Sequence, residues 1–283
     1  MVRITECPRD AMQGIQAFIP TEEKVAYINR LLRVGFDRLD CGSFVSAKAI
    51  PQMQDTASVL AQIDRGHSST RLLAIIANLR GATEAAEQEN VDFLGFPFSV
   101  SETFQLRNTN STRQQSLETV REIVAICRAH GKTPLVYLSM GFGNPYGDPW
   151  SPAIVAGYAE RLAGLGVGHF ALADTVGTST AEQIAMLFPF LKIELPEFEL
   201  GLHLHSTPAG SRDKLQAALD AGCDRFDTAL RGFGGCPMAS DALTGNIATE
   251  TLLELCAARG LETGLDMHAW QEAMMYSTRV FSH

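Results

Sequence analysis

Short runs of apolar and β-branched residues alternate along this chain with longer segments whose apolar side chains recur every three or four positions. The short runs fall at 2–5, 36–40, 71–76, 91–96, 134–139, 167–173, 199–203 and 225–227, lengths that suit buried strands. The longer segments fall at 21–34, 51–63, 82–89, 111–130, 151–165, 180–191, 211–221 and 249–258, and their spacing predicts amphipathic helices. Strands that each lead into a helix predict parallel βαβ units. The expected fold is therefore α/β, a single (β/α)8 TIM barrel over residues 1–283, with extended loops at the C-terminal face.

Local punctuation agrees with these boundaries. Glu22 and Glu23 follow Pro20-Thr21 in a first helical turn, where acidic residues complement the helix dipole. Ser151-Pro152 reads as an N-cap followed by proline at the first helical position. Gly35, Gly131, Gly166 and Gly222 stand where helices end and strands begin. No Gly-x-Gly fingerprint follows the first strand, so a dinucleotide-binding doubly wound sheet is disfavoured. Three long loops follow strands, at 99–110, 141–150 and 232–246. In a barrel such loops are expected to lie over the site.

Composition narrows the function classes. A formal net charge of −9 argues against nucleic acid, whose phosphates need a basic face. No apolar run is long enough to span a membrane, and the first residues read as a strand rather than a secretory signal. The six cysteines are scattered, with no Cys-x-x-Cys pair, which suits thiols in a reducing compartment and leads to an expected cytoplasmic location.

Candidate chemistry gathers at strand ends. His203-Leu204-His205 closes the seventh strand, and residues two apart share a face, so both imidazoles can point into the barrel mouth as divalent-metal ligands. The competing reading is two unrelated histidines, one packed and one solvated. Asp10 follows the first strand beside Arg9, and the first and seventh strands flank the eighth. Asp10 can thus reach the same ion, unless the two residues form an ordinary surface ion pair. Two nitrogens and a carboxylate suit Mg2+ or Mn2+, with Zn2+ possible. Asp40 and Asp174, at the ends of the second and sixth strands, can contact a ligand, orient Arg9, or cap the next segment. Cys236 lies on the glycine-rich loop as a candidate proton donor or a packed small hydrophobe. Asn246 can supply a neutral oxygen, although a left-handed turn is the simpler account of it.

With these residues in view, the chain resembles the 3-hydroxy-3-methylglutaryl-CoA lyases, part of a wider group of metal-dependent lyase and synthase barrels. The resemblance covers nearly the whole chain. It is carried by Ile4-Thr5-Glu6-Cys7-Pro8-Arg9-Asp10, Ser43-Phe44-Val45-Ser46 with Pro51-Gln52-Met53, Asp174-Thr175-Val176-Gly177, His203-Leu204-His205, Gly234-Gly235-Cys236-Pro237 and Gly245-Asn246. It implies that Asp10, His203, His205 and Asn246 bind a divalent cation, that Arg9 stabilises an enolate, and that Cys236 sits on a loop closing the site. Asp174 is implied as a substrate-contacting or supporting acid. Asp40 stands where these lyases usually carry glutamate, Ser206 where an acidic residue is usual, and the loop after Cys236 is slightly longer.

The implied reaction is retro-Claisen cleavage of 3-hydroxy-3-methylglutaryl-CoA, or a close 3-alkyl analogue, to acetyl-CoA and acetoacetate, as in leucine degradation. Asp10 and His203 are the candidate bases. Lys48, Arg107 and Asn108 are plausible contacts for coenzyme A, with solvated surface residues as the alternative. A homodimer is a possible assembly. Two rivals remain at this stage: a 2-oxo-acid-dependent synthase or hydroxy-oxo-acid aldolase on the same barrel, and a catalytically silent binding barrel. The short stretch after the eighth helical segment, 261–283, favours a lyase over synthases with a regulatory region.

Overall fold

The computed structural model describes residues 1–235 and 244–282. Eight parallel strands form its centre: β1 (Arg3–Glu6), β2 (Arg38–Ser43), β3 (Arg71–Ile75), β4 (Phe93–Ser99), β5 (Thr133–Ser139), β6 (His169–Asp174), β7 (Glu199–Ser206) and β8 (Arg225–Thr228). Each pairs with its neighbours in sequence, and β8 pairs with β1, so the sheet closes on itself. A ninth strand, β9 (Gly245–Asn246), lies antiparallel to the end of β7, with Asn246 opposite His205.

The helices are α1 (Pro8–Gln13), α2 (Thr21–Val34), α3 (Thr56–Gln62), α4 (Leu79–Ala86), α5 (Glu102–Thr109), α6 (Arg113–Ala129), α7 (Pro152–Gly164), α8 (Ala181–Glu194), α9 (Pro208–Asp220), α10 (Thr249–Ala258) and α11 (Met267–Val280). Their starts follow the local chemistry. Ser151 accepts from the Ile154 amide at the head of α7, and Thr112 with Gln115 and Thr180 with Gln183 form capping boxes on α6 and α8. Gly35 ends α2 in the left-handed conformation, which turns the chain back toward β2 without a Cβ clash.

Two apolar layers hold the barrel. The larger lies between strands and helices; a smaller one, of Leu73, Ile75, Phe93, Leu135, Tyr137 and Ala171, fills one side of the interior. The other side of the interior carries polar groups from β1, β2, β7 and β8, which is where the chemistry lies.

Several elements depart from the expected pattern. The helix expected at 51–63 is broken into a 3-10 turn at Pro51–Met53 and α3, with the non-helical Asp55 between them, its carboxylate held by Lys24 and Thr21. β2 begins two residues later than expected and runs to Ser43, with an irregularity in its pairing to β3 between Asp40 and Gly42. The loop at 99–110 contains α5, and the stretch 261–283 contains α11. The buried face of α11 is mostly Ala269, Ala273 and Ser277, small side chains that give little hydrophobic periodicity.

Candidate active site

The end of β1 runs straight into α1, whose first turn carries Arg9 and Asp10 at the C-terminal mouth of the barrel. Both are buried. The Arg9 guanidinium is held from two sides. Its Nε lies 3.1 Å from both carboxylate oxygens of Asp40 and one terminal nitrogen 2.5 Å from Oδ2; its other terminal nitrogen donates to Asp10 at 3.0 Å and Gln13 at 2.8 Å. A planar fork gripped in this way keeps one orientation. Asp40 therefore orients Arg9, one of the roles open to it from the sequence.

His203 and His205 project into the same mouth from β7, as two-residue alternation requires. The His205 Nδ1 donates to the Thr175 carbonyl at 3.0 Å, so its Nε2 presents a lone pair inward. Among the described residues that buried nitrogen has no hydrogen-bond partner, and it lies 3.9 Å from Asp10 Oδ2. His203 has its Nδ1 3.3 Å from Asp227. Asp10, His203 and His205 each offer a ligand atom within 4.8 Å of the others. Burial alone would raise the Asp10 carboxyl, but Arg9 and the two imidazoles bring it down to about 2, so it is an anion and a weak base. An anionic oxygen beside a neutral, unpartnered imidazole fits a divalent cation.

Asn246 reaches this cluster through the β9–β7 pairing. Its amide nitrogen donates to Asp10 at 2.6 Å and to the Phe233 carbonyl at 2.9 Å. Both partners are acceptors, so through its amide nitrogen Asn246 steadies Asp10. Gly234 makes the close approach possible: a Cβ there would stand 2.4 Å from the Asp10 carbonyl.

These groups form one end of a cavity of about 350 Å3 whose walls include Ile75, Pro97, Phe104 and Tyr137. Arg107 and Asn108 lie at its rim, and Arg107 also stacks over Tyr146. Lys48 is exposed and does not line it. Asp174 is turned elsewhere: its carboxylate accepts from the Thr178 and Ser179 amides, the Ser179 hydroxyl and Lys214. Of the roles open to Asp174, these contacts are those of a supporting acid and of capping: three donors tie it to the loop after β6 and Lys214 ties it to α9. Cys236 lies outside the described residues.

Three participants were not picked out from the sequence. Gln13 donates to Asp10 at 2.5 Å; it sits one helical turn after the Arg-Asp pair, a spacing that could have flagged it. Tyr137 packs edge-on to His203 with ring centroids 5.4 Å apart, and its buried hydroxyl has no partner among the described residues. Asp227 ends an expected strand, in register with His203.

A family model described as HMGL-like matches residues 3–275. The "3-hydroxy-3-methylglutaryl-CoA lyase, cytoplasmic" of Mus musculus is 33% identical over 96% of this chain and 79% of its own length. The "3-hydroxy-3-isohexenylglutaryl-CoA/hydroxy-methylglutaryl-CoA lyase" of Pseudomonas aeruginosa is 35% identical over 96% of this chain and 90% of its own. Among solved structures, an HMG-CoA lyase from Acinetobacter baumannii in complex with coenzyme A and 3-methylmalate superposes with a TM-score of 0.92 at 33% identity, covering 100% of this chain and 92% of that one.

Proposed function

This chain belongs to the HMGL-like family, and from that premise we propose that it is a carbon–carbon lyase cleaving 3-hydroxy-3-methylglutaryl-CoA, or a close 3-alkyl analogue, to acetyl-CoA and acetoacetate. One observation carries the proposal: an unpartnered imidazole nitrogen and an anionic carboxylate meet beside a fixed guanidinium at one end of a largely apolar cavity. The ligands are Asp10, His203 and His205, with Asn246 holding the first of them. A divalent cation, Mg2+ or Mn2+, supplies Lewis acidity there when bound.

Arg9 faces the cavity with its guanidinium preset by Asp40 and Gln13. Cleavage of the bond between C2 and C3 leaves negative charge on the thioester enolate, and a donor already oriented needs no reorganisation to meet it. Burial would lower the Arg9 pKa, but Asp40 and Asp10 raise it, so the guanidinium stays charged throughout. The apolar walls strengthen that electrostatic contact. To balance the cleavage, the 3-hydroxyl gives up one proton as its oxygen becomes the acetoacetate carbonyl, and the enolate takes up one proton at C2 to become acetyl-CoA. Arg107 and Asn108 at the rim suit the phosphates and amides of coenzyme A, whose presence in the Acinetobacter structure supports an acyl-CoA substrate.

The Pseudomonas relative, named for two acyl chains, supports testing more than one. The mouse relative is named as cytoplasmic and a Bos taurus relative as mitochondrial; of the two we propose the cytoplasm for this protein. Among the described residues no helix is long and apolar enough to cross a membrane. The test is turnover of 3-hydroxy-3-methylglutaryl-CoA with Mg2+ or Mn2+ against EDTA. Equal amounts of acetyl-CoA and acetoacetate, lost with EDTA, are expected. Release of free CoA, or no turnover with either ion, would overturn the proposal in favour of another reaction on this barrel.

A further inference from the structure

Beneath the two histidines the barrel interior holds a column of charged groups that the reaction does not use directly. Asp227 on β8 is fully buried and does not line the cavity. Its Oδ2 faces the His203 Nδ1 at 3.3 Å, and its Oδ1 accepts from Arg225 at 2.9 Å. Arg225, also fully buried, donates further to the Phe170 carbonyl at 3.0 Å and to Thr5 at 3.3 Å, and its Nε stands 3.4 Å from Glu199. The guanidinium lies flat against Gly201, where a Cβ would come within 2.3 Å of Nε. Gly201 is on the strand that carries His203, two residues before it, so that strand omits a side chain where the arginine passes.

We propose that Asp227 and Arg225 are positioning residues for His203, which fix its ring with Nδ1 protonated and Nε2 turned toward Asp10. The inference rests on the divalent-cation site proposed above. A ligating imidazole has one nitrogen for the metal, and the group bonded to the other decides which nitrogen that is. A lone aspartate in this interior would be a costly partner, because an uncompensated buried charge is strongly destabilising. Arg225 supplies the opposite charge from the side away from the cavity. The imidazole thus gains a firm acceptor while the site keeps its charge balance.

Cys7, His203 and Asp227 also lie close enough together to hold an ion of their own. The contacts favour positioning instead: neither Cys7 nor Asp227 lines the cavity, Asp227 already meets the Arg225 guanidinium at 2.9 Å, and the Cys7 thiol is 3.6 Å from the Thr5 carbonyl.

Manganese titration followed by electron paramagnetic resonance, on the parent and on Asp227→Asn, tests this. One ion per chain is expected in both, with affinity about 10- to 100-fold weaker in the variant, the usual cost of losing such an outer partner. A melt in EDTA separates this from a general loss of stability, which would lower the melting temperature and leave affinity unchanged. Equal affinity in a folded variant, or two ions per chain in the parent, would overturn the assignment. A parent that binds no manganese overturns the metal site itself, and this inference with it. Nitrogen-15 spectra of the histidine rings in the Mg2+-loaded parent need no variant: a His203 protonated at Nδ1 is expected, and one protonated at Nε2 would also overturn it.

Discussion

The two mouths of this barrel both bury charge, and the C-terminal one also opens into the cavity. At the N-terminal mouth Glu199 receives Arg3 at 2.5 Å, Arg38 at 2.6 Å and the His169 Nδ1 at 3.2 Å, while Arg71 reaches Asp37. Phe93 lies under the Arg38 and Arg71 guanidinium groups, with Arg38 4.1 Å above its ring. Every carboxylate there meets a cation. Buried polar atoms without a hydrogen-bond partner occur at both mouths among the described residues: Asp37 Oδ2, Arg38 Nε and Nη1 and Arg225 Nε at the lower, N-terminal one, the His205 Nε2 and the Tyr137 hydroxyl at the upper, where a cavity opens in front of them. At the lower mouth the unpartnered atoms belong to groups already paired by opposite charge, whereas at the upper they face open space that a ligand can enter.

The widest contrast comes from removing one charge at each mouth. Glu199→Gln leaves Arg3, Arg38 and Arg225 without their shared anion. Breaking such a pair costs about 3 kcal/mol or more of stability, the lower end applying because Glu199 is partly exposed. Urea unfolding measures that loss, and kcat should stay within a few-fold of the parent. A loss of turnover without a loss of stability would erase the distinction between the two mouths. Arg9→Lys reverses the pattern. A point ammonium cannot span Asp40, Asp10 and Gln13 at once, so kcat should fall at least about a hundredfold, about 2.7 kcal/mol of barrier, beyond whatever stability the looser grip on the buried carboxylates removes, with turnover read where the variant is folded. Near-normal kcat would remove Arg9 from the enolate.

How far these two mouths were legible in the sequence differs for a physical reason. The upper one is built from short-range pairs: Arg9 beside Asp10, and His203 two residues before His205. Chain order and strand alternation alone bring those together. The eight strands were legible for the same reason, since each carries its own apolar run. The lower mouth joins Arg3, Arg38, His169, Glu199 and Arg225 across as many as 196 residues of chain, with no local pattern at any of them. Asp174 shows the limit at the upper mouth too. Its place at a strand end suggested substrate, but its partner Lys214 lies a helix away and draws it into the wall.

A ligand sharpens the comparison more gently. Manganese at about ten times its dissociation constant should stabilise the parent by about 1.4 kcal/mol, through binding to the folded state alone. Glu199→Gln should keep that increment, since Glu199 belongs to neither group of metal-ligating side chains among the described residues, and His205→Ala should lose it. Scanning calorimetry with and without EDTA reads both. An increment that survives in His205→Ala would move the cation away from this histidine.

The smallest effect concerns two glutamates, one at each mouth, whose environments are opposites. Glu199 sits among guanidinium groups, which outweigh its partial burial and hold its carboxyl below the ordinary range. Glu6, at the upper end of β1, is fully buried; burial pushes it up to about 8, only partly offset by the Thr249 hydroxyl and the Leu230 amide. The signs follow from proton counts. The stability due to Glu199 is present above pH 4.5 and is lost as pH falls below it, because folding then requires an anion the unfolded chain no longer has. Glu6 acts the other way. Between pH 4.5 and about 8 the folded chain holds a proton that the unfolded chain releases, so stability falls as pH rises, by no more than about 1.4 kcal/mol per pH unit. Glu6→Gln should flatten the alkaline side of the curve, by about 1 kcal/mol between pH 7 and 8, and leave the acid side intact. Glu199→Gln should flatten the acid side alone. Urea midpoints at about pH 3, 5, 7 and 8 distinguish them, and a Glu6→Gln curve parallel to that of the parent would mean that the Glu6 carboxyl is already ionised in the fold.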